Sequence, residues 1–160
     1  MPQLSGPLIN GHLYDFSSIE VNVGGLMLSG VSSLNYRHGL EPGEFRGTKP
    51  QKLGRTRGQY SAGGSFTMVK SDYNILTAKL ALQGAAQKKG YMETAFIITA
   101  IYQELPTTPP TTDVLVGCRI TDESNSHSAG SDALVVEVTI DIMRITSDGK
   151  VAVFDNTGTP

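Results

Sequence analysis

Few side chains in this sequence are of the types that carry covalent or acid–base chemistry, and their spacing argues against a shared centre. Three histidines, His12, His38 and His127, are scattered too widely for metal-ligand spacing. A histidine base also needs a positioned partner, and His127 lies in a polar stretch with no Gly-x-Ser-x-Gly elbow leading into a helix. The single cysteine, Cys118, has no disulfide partner and alternates in phase with Val116 and Ile120, so it reads as a small core residue rather than a reactive thiol. Asp113, Asp122 and Glu123 flank expected strand ends, where carboxylates commonly sit in water. Neither Gly-x-Gly-x-x-Gly nor Gly-x-x-x-x-Gly-Lys-Ser/Thr occurs, so the loops that cradle phosphates are missing. The expectation is a non-enzyme with no catalytic, cofactor or metal site.

One stretch departs from this plainness. Between His38 and Gly58 the cations Arg46, Lys49, Lys52, Arg55 and Arg57 face only Glu41 and Glu44, in a chain whose formal net charge is -2. Gly39, Pro42, Gly43, Gly47, Pro50, Gly54 and Gly58 interrupt any regular element, which predicts a long irregular loop. Loops beyond about 12–15 residues are uncommon in compact domains and are usually functional or disordered. Clustered cations suit a polyanion, but Phe45 and Tyr60 are the nearby aromatics for stacking and no nucleic-acid module surrounds them. The alternatives are a solvated loop, an anion-binding loop on a monomeric β-barrel, or a loop that orders against a neighbouring subunit. Its length favours the last.

The elements that must hold this loop read as β. With 160 residues, 39% of them hydrophobic, the chain has enough material for a single core, and 18 glycines point to turns and close approaches. Ile19, Val21 and Val23 alternate toward a Gly24-Gly25 turn, and a second arm from Leu26 to Arg37 places Leu28, Leu34 and Tyr36 on one face. Gln59 to Val69 alternates again, with Gly63-Gly64 predicting a close backbone approach inside the strand. A helix is expected from Asp72 to Lys88, capped by Ser71 and left through Gly90, with Tyr73, Leu76 and Leu80 beside a second row of Ile75, Ala78 and Leu82. Thr94 to Glu104 reads as a strand buried on both faces, ended by the proline-rich stretch from Pro106 to Thr112. Asp113 to Thr121 places Val114, Val116, Cys118 and Ile120 together, and Ala133 to Arg144 places Leu134, Val136, Val138, Ile140 and Ile142 in the core. A tight turn at Ser147 to Lys150 precedes Val151 to Phe154. No secretion signal or membrane span is predicted, which leaves a cytoplasmic site of synthesis as the expectation.

The run Leu26-Met-Leu-Ser-Gly-Val-Ser-Ser-Leu-Asn-Tyr36, the loop ending Lys52-Leu-Gly-Arg-Thr-Arg-Gly58, and the run Ser61-Ala-Gly-Gly-Ser-Phe-Thr-Met68 followed by a helix together resemble the tail tube proteins of contractile-tailed bacteriophages. That family is related in fold to the haemolysin-coregulated protein of type VI secretion. The resemblance implies one tail tube domain over residues 1–160, an antiparallel β-sandwich or barrel with one packed helix. It further implies hexameric rings stacked into the inner tube of a virion tail, a conduit for genome ejection assembled in the bacterial host cytoplasm. Residues 41–57 would be the loop that reaches the adjacent ring, carried by Glu41, Glu44, Phe45, Arg46, Lys49, Lys52, Arg55 and Arg57. Strands starting at Leu26, Gln59, Asp113 and Ala133 would line the bore, with Ser29, Ser33, Asn35, Ser61, Ser65, Thr67, Glu137, Thr139 and Asp141 facing the lumen. Arg37 and Arg119 share the phase of that face and could pair with Glu137 or Asp141. The implied partners are further copies, sheath, baseplate and terminator proteins, and passing DNA without sequence-specific binding or membrane anchoring. Met1 to Asn10 and Asp155 to Pro160 would be extended arms. The competing readings are a type VI secretion tube component, which would pass proteins, and the monomeric anion-binding module.

Overall fold

Short runs of alternating apolar and polar residues form strands because only that period puts one face in a core. The computed structural model describes residues 19–102 and 109–152, and these are mainly antiparallel β with one α-helix. Strands β1 (Ile19–Val23) and β2 (Leu26–Met27) form the first hairpin, turning through Gly24 and Gly25 at φ of 59° and 82°, a conformation glycine adopts without a Cβ clash. The second arm is not one strand from Leu26 to Arg37. Pairing with β1 stops at Met27, and after a turn at residues 28–30 the chain enters a different sheet as β3 (Val31–Glu41). Two short strands, β4 (Glu44–Arg46) and β5 (Lys52–Arg55), pair only with each other among the described residues. Then follow β6 (Gln59–Val69), helix α1 (Lys70–Ala85), β7 (Phe96–Tyr102), β8 (Thr111–Ser126), β9 (Val135–Ile142), β10 (Arg144–Ser147) and β11 (Lys150–Val151).

The strands form two layers that share β8. One layer runs β2-β1-β7-β8-β10-β11, and the other runs β8-β9-β6-β3. Thr111 to Cys118 pairs with β7, and Arg119 to Ser126 pairs with β9, so the long strand crosses from one layer to the other. The crossing falls at Gly117, whose φ of 70° accompanies a register slip that sets Phe96 opposite Cys118 but Ile98 opposite Leu115. An inserted residue reverses the alternation. Leu115 and Cys118 are therefore both buried while Val114 and Val116 are half-buried, which corrects the expected common face of Val114, Val116, Cys118 and Ile120.

The core lies between the layers, with Phe66, Met68, Ile98, Leu115, Val136 and Val138 almost wholly enclosed. Two expected core positions lie elsewhere. Leu134 precedes β9 and is half exposed, its carbonyl accepting the Lys70 N–H where the helix begins. Ile97 is 49% exposed between buried Phe96 and Ile98, so β7 buries one face rather than two. The helix starts at Lys70 straight from β6 with no side-chain cap, so Ser71 does not cap it. Asp72 in its first turn instead accepts the Gly30 N–H at 2.9 Å. Tyr73, Leu76 and Leu80 pack inward, whereas Ile75 and Leu82 of the second row face out. The helix ends a turn early: Lys89 N–H returns to Gly84 O, Lys88 N–H returns to Ala85 O, and Lys88, not Gly90, takes the left-handed conformation at φ 55°. Asp148 and Gly149 make the final turn at φ of 50° and 75°. The terminal arms, residues 103–108 and Phe154 lie outside the described residues.

Candidate assembly surfaces

The β8-β9-β6-β3 layer turns one face to the core and the other to solvent, and pairing register puts the outward side chains in rows across it. Ser33, Thr67, Glu137 and Ser124 make one row, and Asn35, Ser65, Thr139 and Asp122 the next. Arg37, Gly63, Asp141 and Arg119 make a third. Ser61 lies beyond them opposite Gly39, with Glu41 at the end of the same β3 face. Of the residues expected to face a lumen, Ser33, Asn35, Ser61, Ser65, Thr67, Glu137, Thr139 and Asp141 thus share one surface. Ser29 does not; it sits in the turn before β3. Arg37 and Arg119 lie on this face and are exposed, but the ion pairs among the described residues are both in the β4–β5 hairpin, so neither joins Glu137 or Asp141.

Gly63 and Gly64 cross the middle of this layer without any register slip in β6, so no bulge explains them. The two glycines differ. A Cβ on Gly64 would lie 2.3 Å from the Asn35 carbonyl oxygen, whereas one on Gly63 would meet nothing nearer than 3.5 Å. Close approach therefore requires glycine at position 64 only.

The layer has two open edges among the described residues. β3 pairs with β6 alone, and the Arg119 to Ser126 half of β8 pairs with β9 alone. Each edge is braced from the core side. Tyr36 of β3 hydrogen-bonds through its hydroxyl to Tyr102 and Asp113 of the other layer, and burial with the Asp113 bond pushes its phenol pKa far above the ordinary tyrosine value. Glu123 of β8 accepts hydrogen bonds from Tyr73 of the helix and from Tyr91, the latter at 3.2 Å. A braced, exposed row of unpaired backbone groups is a ready template for another strand.

The expected irregular loop is instead a hairpin on a stalk. Glu41 belongs to β3 and pairs with Gln59, so the excursion begins at Pro42 and closes at Gly58, where φ is 89° and the backbone abuts the Glu41 carbonyl. Phe45 stands opposite Gly54 and Glu44 opposite Arg55. Glu44 holds Arg46 at 3.2 Å and also contacts Lys52. Phe45 and Leu53 are 64% and 63% exposed, and Arg46, Lys49, Lys52, Arg55 and Arg57 are exposed in the same excursion. The sequence reading missed this hairpin because Gly47, Pro50 and Gly54 mask the short alternating runs; the signal was Phe45 and Leu53, apolar residues with no reason to sit in a solvated loop.

Cys118 lies in the core, its thiol pushed up to about 12, chiefly by burial. Among the described residues no three His, Cys, Asp or Glu side chains gather to hold a metal, and no helix is long and apolar enough to cross a membrane.

No protein-family model and no curated protein matches the sequence. Solved structures do match the fold. The tube-sheath complex of an extracellular contractile injection system, PVC, in its extended state aligns with a TM-score of 0.63 at 14% identity, over 88% of this chain and 93% of that one. The tube-terminating cap of the anti-feeding prophage aligns with a TM-score of 0.62 at 12% identity, over 95% of this chain and 100% of the other. The SPP1 tail tube aligns with a TM-score of 0.59 at 10% identity, over 87% and 81%. The chain has the tail tube fold found in these contractile systems and phage tails.

Proposed function

We propose that this chain is the repeating subunit of a tail tube: copies close into hexameric rings, the rings stack, and the hollow they enclose conducts a genome into the host. One observation carries the reading. The β8-β9-β6-β3 layer has an even number of antiparallel strands, so its two open edges run in opposite directions. A copy placed beside it by rotation alone then pairs its β8 edge antiparallel with β3, and a closed ring of such copies leaves no edge exposed.

The dimensions suit a conduit. Six four-stranded layers hold roughly 24 strands, and a spacing of about 4.8 Å with a tilt of about 40° gives a backbone diameter of about 48 Å, wide enough for a DNA duplex with its hydration. The hydroxyl- and carboxylate-bearing face would be the lumen, and the β4–β5 hairpin would insert its Phe45 and Leu53 into the adjacent ring. A sheath outside and baseplate and terminator proteins at the ends would complete the assembly in the virion. The SPP1 match supports the phage setting, because that protein too is a tail tube. Negative-stain electron microscopy and sedimentation of the purified chain test the proposal: rings or tubes with a central hole are expected, and a particle of subunit size at every concentration would refute it.

A further inference from the structure

Resting on the tube reading, we propose that neighbouring copies in a ring are locked in register by an ion pair between Glu41 of β3 and Arg119 of the adjoining copy's β8, with Arg37 set diagonally beside that copy's Asp122. Perpendicular to the strands, Arg119 is level with Arg37 and Asp122 is level with Asn35. If copies joined without any shift, Arg37 would face Arg119, a like-charge contact that costs stability directly across a ladder. The side chains of the two edges must keep to the same face, so any shift is an even number of residues.

The direction of the shift follows from the hand of the sheet. Val69 N–H donates to Gly30 O on the β3 side of β6, and Lys70 N–H donates to Leu134 O on the β9 side. Even-numbered residues of β6, whose side chains Phe66 and Met68 enter the core, therefore direct their backbone groups toward β9. For L-residues in an ascending strand, a side chain pointing at the viewer sends its own N–H and C=O to the right. Seen from the core with β3 running up, the order from left to right is then β8, β9, β6, β3. The core side is the outside of the ring, and the inherited twist makes barrel strands rise to the right when seen from outside. The copy to the right of β3 is displaced toward the C-terminal end of that strand.

Its size follows from strand tilt. With about 3.3 Å rise per residue and about 4.8 Å between strands, a shift of about four residues per four-stranded copy corresponds to a tilt near 35°, inside the usual barrel range. A shift of about two gives a tilt near 19°, below that range. A shift of about six exceeds it slightly and sets Glu41 against Asp122, a repulsive contact. The four-residue shift places Arg119 opposite Glu41, Asp122 opposite Gly39 and Ser124 opposite Arg37. Both arginines and both carboxylates are exposed, and none is engaged in an ion pair within its own copy among the described residues. Once paired across the seam, Glu41 and Asp122 offset Arg37 and Arg119, and Glu137 and Asp141 are left to set the charge of the bore.

Charge reversal tests the seam. Glu41→Arg and Arg119→Glu should each lower the yield of rings by at least about tenfold, as like charges across an interface do, and the double variant should recover to within about twofold of wild type. Circular-dichroism melts matching wild type would show that the single variants fold. A second readout is covalent: in a Cys118→Ala background, Glu41→Cys with Arg119→Cys should oxidise to disulfide-linked rings under a mild copper oxidant, while Arg37→Cys with Arg119→Cys should not. Wild-type rings together with undiminished single variants, or cross-linking by the Arg37 pair alone, would overturn the register and leave the tube standing. A wild-type chain that forms no rings would remove the tube and the seam together.

Discussion

The β8-β9-β6-β3 layer and the β4–β5 hairpin draw on the same alternation of apolar and polar residues and satisfy it in opposite ways. In the layer, Val136, Val138, Ile140 and Ile142 are buried and the residues between them are exposed, so each strand is stabilised by its own chain. In the hairpin the strands have no sheet beneath them among the described residues, and Phe45 and Leu53 project into solvent. Its internal support is the exposed pairing of Glu44 with Arg46 and Lys52, and surface pairs contribute at most about 1 kcal/mol each. A two-stranded hairpin is marginal by itself. One region thus carries its stability with it, whereas the other leaves its apolar residues uncovered among the described residues.

The sharpest way to break that contrast is to remove the hairpin. Replacing residues 43–57 by a short Gly-Ser linker should leave the melting temperature within about 2 °C of wild type, because no core residue is lost and closure entropy changes slowly with loop length. Rings should still form, and long tubes should disappear from electron micrographs. Tubes of normal repeat in that variant would mean that stacking is carried elsewhere.

The opposite contrast is expected from a change inside the layer. Gly64→Val forces a side chain into the Asn35 carbonyl and the Tyr36 backbone, neither of which can yield without breaking the β3–β6 ladder. A cost of about 1–3 kcal/mol is ordinary for such overpacking, so thermal unfolding should fall by about 2–12 °C. The neighbouring Gly63→Ala should cost far less, since its Cβ would make only ordinary contact. Equal stability of the two variants would show that β3 relaxes and that the glycine pair is mere tolerance.

How far the sequence could be read follows from what each signal depends on. Alternation in Gln59 to Val69 gave that strand its limits because every second residue there faces one continuous core. The same rule failed at Val114 and Val116, where the change of layer at Gly117 reverses phase in a way that no local pattern announces. The helix was legible in its buried row and not in its ends, because its start is set by β6 running directly into it and its finish by carbonyls of Gly84 and Ala85 that other residues claim. For the outward face, phase separated Glu137, Thr139 and Asp141 from the buried residues of their own strand, and the family resemblance set them beside Ser65 and Thr67. The edge residues Glu41 and Asp122 were legible only as charges, since what matters about them is that their strands lie at the open edges of the layer among the described residues.

The smallest effect expected concerns the wall rather than the architecture. Glu137 and Asp141 are exposed on β9 between buried neighbours, and no ion pair joins them to Arg37 or Arg119 among the described residues. Changing both to lysine touches no core atom, so folding, rings and tubes should survive. In a ring every copy repeats the change, and a small local charge becomes a band around the bore. Duplex DNA carries one negative charge per about 1.7 Å, and each lysine that meets a phosphate releases condensed counterions, so binding to such a band weakens steeply as salt rises. The sign of the effect is therefore fixed: Glu137→Lys with Asp141→Lys should slow DNA release from reconstituted virions at low salt, and added salt should restore the wild-type rate. The relevant measurement is release kinetics over a salt series, with the tubes shown to contain the variant. Wild-type kinetics at low salt would place these two residues away from the DNA path, while slow release that salt does not relieve would point to a wall narrowed by bulk instead of one that attracts phosphate.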